Sequence, residues 1–96
     1  MPILQLEHAI KDFNLWKAAF DRDPIDRRAL GVRRHRVFRP TDDPKYVVVE
    51  LEFDTTRGAE TCHAALVDLW STRRDTPALI GAPRVRIVET VEDRNY

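Results

Sequence analysis

Cysteine is nearly absent from this 96-residue chain. Cys62 stands alone, so no internal disulfide and no thiolate-only metal site can form. A single thiol suits a reducing cytoplasm, which is the expected location. Serine is equally scarce. Ser71 is the only one, and nothing beside it resembles a hydroxyl-nucleophile triad. Three glycines leave no Gly-rich phosphate loop. No apolar run approaches the ~18 residues of a membrane span. The start, Met1-Pro2-Ile3-Leu4-Gln5-Leu6-Glu7, lacks the basic and long apolar stretches of a signal peptide. Charge of one sign is missing too, with 16 Lys+Arg against 16 Asp+Glu. That balance argues against nucleic acid or any partner held by phosphate neutralisation, and no membrane partner is expected.

What remains is 43% hydrophobic and 33% charged, an ordinary globular composition. The length suits one domain over 1–96 with one small core, and 93–96 read as a loose tail. With so little core and no covalent staple, self-association is the expected extra source of stability.

Periodicity predicts the elements. From Ile3 to Ile10, Leu4, Leu6, His8 and Ile10 fall on one side of a strand and Gln5, Glu7 and Ala9 on the other. Asp12 offers an N-cap for a helix carrying Phe13, Trp16 and Phe20, which should end near Asp23-Pro24. A further turn is expected over Ile25 to Leu30, with Gly31 as its stop. Val32 to Arg39 reads as the second strand, and Tyr46 to Phe53 as the third and clearest. Asp54-Thr55-Thr56 can cap a second helix with the stripe Ala59, Cys62, Leu66, Leu69 and Trp70. Asp75-Thr76-Pro77 is expected to open a short turn that Gly81-Ala82-Pro83 closes, and Arg84 to Val91 to form the last strand.

The order β-α-β-β-α-β defines an α+β, ferredoxin-like fold, with two helices on one face of a four-stranded antiparallel sheet. The expected spatial order is fourth, first, third, second strand. Its open face presents Gln5, Glu7, Val48, Glu50 and Glu52 from the central strands, with Tyr46 at the end as the only aromatic there. Such a surface repels phosphate and lacks the stacking platform of an RNA-recognition motif. The first loop, His8-Ala9-Ile10-Lys11-Asp12, has no paired thiols for a metallochaperone. Alternation puts either Arg34 and Arg36, or Arg33 and His35, on the open face. The face is either a solvated charged surface or a sheet-to-sheet dimer interface with Val48, Val88 and Tyr46.

The run His8-Ala9-Ile10, Phe13, Trp16-Lys17-Ala18-Ala19-Phe20 and Gly31-Val32, with Asp42-Asp43-Pro44 and Gly81-Ala82-Pro83, resembles the dimeric α/β-barrel superfamily. That superfamily includes antibiotic-biosynthesis monooxygenases, polyketide cyclases, muconolactone isomerases and stress-responsive barrel proteins. The resemblance implies a homodimer and a cleft between sheet and helices, lined here by Trp16, Phe20, Leu66 and Trp70. It implies a small apolar or aromatic carbonyl ligand and cofactor-independent monooxygenase or cyclase-like chemistry, so no cofactor is expected. His8 would handle a proton and His63 could assist. The alternative is a non-catalytic dimeric sensor or stress-related protein with a closed core. Haem-degrading members carry a histidine after the second-helix tryptophan, whereas Trp70 is followed by Ser71-Thr72.

Each candidate also has a plainer reading. The aromatics can simply fill the core, and His8 can be tied to a backbone carbonyl. His63 can be a half-exposed helix residue, and Cys62 a small core side chain. His8, His35 and His63 follow no metal-ligand spacing, so no metal is expected.

Overall fold

A computed structural model describes residues 1–72 and 79–96, with the backbone alone described for Thr72, Leu79 and Ile80. The elements are β1 (Pro2–Ile10), α1 (Phe13–Asp21), β2 (Arg34–Phe38), β3 (Tyr46–Glu52), α2 (Thr56–Thr72) and β4 (Leu79–Glu89). The sheet order is β2-β3-β1-β4 and every pairing is antiparallel. This is the βαββαβ, ferredoxin-like arrangement that the periodicity predicts.

Local chemistry sets the helix starts. The Asp12 carboxylate accepts the Leu15 amide at 2.9 Å, and the Thr55 hydroxyl accepts the Gly58 amide at 3.0 Å. Each satisfies a donor that an unfinished first turn would leave bare. After α1 the further turn expected at Ile25 to Leu30 forms as a single one, in which the Leu30 amide donates to the Asp26 carbonyl at 3.1 Å and Gly31 at φ 92° is the stop. Asp23 and Asp26 adopt left-handed backbone (φ 52° and 56°), which parts this turn from α1, and their side chains accept the amides of Arg27 and Ala29.

One sheet face is apolar and covered. Leu4, Leu6 and Ile10 of β1 meet Val47, Val49 and Leu51 of β3, under Trp16 of α1 and Ala59 and Cys62 of α2. Phe53, just past β3, closes the same core. Each large side chain buried here contributes ~1.5–3 kcal/mol.

The other face is polar and ordered. Arg36, Glu50, Gln5 and Arg86 stand side by side across all four strands. Arg36 donates to Glu50 at 2.7 Å, Gln5 to Glu50 at 3.2 Å, and Arg86 to Gln5 at 3.2 Å. A second pair lies nearby, with the Tyr46 hydroxyl donating to Glu7 at 2.9 Å. The pairing of β2 with β3 resolves the choice left open by alternation. Arg34 and Arg36 lie on the open face, and His35 lies on the helix side opposite Leu51.

The last strand departs from expectation. Gly81-Ala82-Pro83 does not close a turn, because β4 already begins at Leu79. Val91 lies beyond the strand and is exposed. The turn expected at Asp75-Thr76-Pro77 lies outside the described residues. Among the described residues no helix is long and apolar enough to cross a membrane.

Candidate functional site

His8 is the one polar side chain in the buried core of the described residues, 4% exposed between Leu6 and Ile10. Its Nδ1 lies 3.1 Å from the Ala9 carbonyl oxygen. A carbonyl can only accept, so Nδ1 carries the proton and Nε2 presents its lone pair. Nε2 makes no hydrogen bond among the described residues. Burial pushes the imidazole below its ordinary value of 6.5, against a smaller upward pull from the Ala9 hydrogen bond. The ring is therefore neutral at pH 7, with one nitrogen committed and one able to accept a proton.

The strand beside His8 gives way. Glu7 pairs with Arg84 and Ala9 with Ile80, so Gly81, Ala82 and Pro83 together stand against His8 alone. Pro83 has no amide hydrogen to give the ladder. Gly81 takes left-handed backbone at φ 73°, and a Cβ added there would meet nothing within 4 Å. The result is a bulge, a device common beside binding and catalytic sites.

An aromatic row leads away from His8. Its ring lies 6.1 Å from Trp16, Trp16 stacks on Phe20 at 5.0 Å, and Phe20 meets His35 edge-on at 5.2 Å. Trp16 is buried, while Phe20, Leu66 and Trp70 are half-buried against the same core. The fold thus brings His8, Trp16 and Phe20 together directly, and packs Leu66 and Trp70 on the same apolar mass. His63 is half-buried on α2 and makes no hydrogen bond or ring contact with His8 among the described residues. Cys62 is buried, and desolvation pushes its thiol up to about 11, so it stays protonated and unreactive. Among the described residues no three His, Cys, Asp or Glu side chains converge as a metal site would need.

Sequence reasoning passed over Arg27. Its guanidinium lies 3.8 Å above the Phe20 ring and its Nη1 donates to the Phe20 carbonyl at 2.9 Å. It borders an open cleft of about 250 Å³ between the α1–β2 loop and β2, with Arg28, Val32 and His35 among its walls. His8 is not one of them. The signal available was the arginine pair Arg27-Arg28 facing Arg33-Arg34-His35 across a short loop. Only folding could show that these arginines share one hollow.

Solved structures share this architecture. A dimeric ferredoxin-like protein from an uncultured marine organism matches with a TM-score of 0.64 and 10% identity, covering 100% of both chains. An antibiotic biosynthesis monooxygenase matches with a TM-score of 0.64 and 18% identity, over 96% of this chain and 100% of that one. The chain shares the fold of the dimeric ferredoxin-like proteins. Rv0793 from Mycobacterium tuberculosis is similar as well, with a TM-score of 0.64 and 12% identity over 99% of this chain and 100% of its own. At these identities the likeness speaks for the fold alone. No family model matches the sequence, and no curated protein matches it significantly.

Proposed function

We propose that this chain, a single domain over 1–96, is a cytoplasmic homodimer that takes a small apolar or aromatic carbonyl compound between sheet and helices. The chemistry is of the cofactor-independent monooxygenase or cyclase kind. The observation that carries this reading is His8: buried, neutral, held through Nδ1 beside a bulge in β4, with Nε2 making no hydrogen bond among the described residues. A base of this type removes a proton from carbon beside a carbonyl, leaving an enolate. In a cyclase the enolate carbon bonds to a second carbonyl, whose oxygen takes back the proton from His8. In a monooxygenase dioxygen is the oxidant, converting a CH₂ to a carbonyl with release of water. Trp16, Phe20, Leu66 and Trp70 supply the apolar wall that orients a planar substrate, and His63 assists from α2. The open face forms the dimer. Half-exposed Phe38 with Val48 and Val88 offers apolar surface within the charged rows, and neighbours of this fold are described as dimeric.

A second reading rests on the completeness of the core. Leu4, Ile10, Val47 and Val49 are wholly buried, as a non-catalytic dimer with a closed interior would have them. His8→Gln separates the two. A thermal-shift screen of aromatic and polyketide-like ketones first identifies a ligand for the parent chain. If His8 is the base, the glutamine variant keeps its melting temperature within a few degrees and loses turnover of that ligand. If His8 is only structural, the variant loses about 1–3 kcal/mol and several degrees, and no ketone binds the parent.

A further inference from the structure

We infer that the cleft between the α1–β2 loop and β2 is a binding site for a small organic oxyanion, a carboxylate or a phosphate monoester. It is separate from the ketone site proposed at His8. The cleft measures about 250 Å³, enough for a compact ligand rather than a polymer. Four arginines line it, Arg27, Arg28, Arg33 and Arg34, against a single acidic wall residue, Asp23.

Their states differ in an informative way. Arg27 is held from three sides: its side chain is only 14% exposed, stacked on Phe20, bonded to the Phe20 carbonyl, and 3.5 Å from Asp23. Asp23 in turn is occupied, since the same oxygen accepts the Arg27 amide at 2.9 Å. Arg33 is satisfied by Asp54 at 2.6 Å, and Arg34 lies 3.5 Å from Glu52. The Arg28 side chain makes no ion pair or hydrogen bond among the described residues, its carbonyl alone accepting the Gly31 amide. One fixed guanidinium and one uncommitted one line the same hollow, and guanidinium donors suit the paired oxygens of a carboxylate or phosphate. Val32 adds an apolar wall, which favours an oxyanion carried on an organic body over a free inorganic ion.

The loop holding these groups turns sharply. Asp23 and Asp26 sit at positive φ, at 52° and 56°, and Gly31 at 92°. Left-handed non-glycine residues cost energy and cluster at ligand clamps and turns. Here they bend the chain so that Arg27 and Arg28 face the start of β2. His35 at the rim is held below its ordinary value by desolvation and then by Arg27 and Lys17, which agrees with a hollow of positive potential.

The test is an amide-shift titration of the intact chain at fixed ionic strength, with benzoate, phenyl phosphate and inorganic phosphate as probes and chloride as the reference. The expected result is a saturating change by ~10 mM at Arg27, Arg28, Val32 and His35 with benzoate or phenyl phosphate. Arg28→Gln should weaken it about tenfold, the loss of one charge-assisted contact. Arg57→Gln, on α2 away from the cleft, should leave it unchanged, and so should His8→Gln, which keeps this site distinct from the ketone site. Phenyl phosphate binding no tighter than inorganic phosphate would refute the organic ligand. Linear shifts, shifts matched by chloride, or indifference to Arg28→Gln would overturn the site.

Discussion

Glu50 and Leu51 are neighbours on β3, yet they belong to different worlds. Leu51 is 2% exposed among Leu4, Trp16 and Phe53, whereas Glu50 lies in the hydrogen-bonded row that crosses the open face. The pleat alone separates them. One face of the sheet holds the chain together by burial, and the other is written in pairs that are individually weak and jointly directional. Stability therefore concentrates on the helix side, and the proposed recognition of a second copy is assigned to the open side.

That contrast can be broken in graded steps. Leu51→Ala removes a buried side chain and leaves a cavity, so chemical denaturation should show a loss of about 3–4 kcal/mol. Glu50→Arg, one position away, sets a third cation between Arg36 and Arg86. Light scattering on the parent should give twice the 11.2 kDa chain mass, and the variant should fall to a single chain while keeping its helical signal. A parent mass of one chain at micromolar concentration would end the dimer proposal.

Acid should act through the helix side. His8 and His35 both titrate below 6.5 in the folded chain, chiefly because burial disfavours their charged forms. Below pH 6.5 the unfolded chain takes up protons that the folded chain resists. The stability they contribute is whole above 6.5 and lost as pH falls through the lower folded values. Melting temperature should drop between pH 7 and pH 5, and His8→Gln should flatten that slope. The smallest effect is expected from Tyr46→Phe on the open face. It removes the bond to Glu7 and should cost less than about 1 kcal/mol. At high pH the same bond, with burial, keeps the phenol protonated above its ordinary 10, which ultraviolet titration would show.

Much of the architecture is legible before folding. The Asp12 and Thr55 caps, the alternation in β1 and β3, and the inward face of His8 all follow from local rules of spacing and hydrogen bonding. The departures have equally definite causes. Glycine and proline in Gly81-Ala82-Pro83 signal an interruption, but a turn and a bulge use the same residues. Only pairing with Glu7 and Ala9 on both sides of His8 shows that the strand continues past them. The face of His35 was equally undecided, because it depends on where an edge strand enters its register.

The sequence by itself determined the order of elements, the two chemically opposite sheet faces and the place of His8 on the apolar one. Those are properties of residues a few positions apart, where backbone geometry sets the period. The tertiary structure alone decided that Gly81-Ala82-Pro83 opens the ladder opposite His8, and that Arg27 stacks on Phe20 beside Arg28 and His35. Such meetings join residues distant in the chain, and their geometry depends on register and loop closure, which no local pattern encodes.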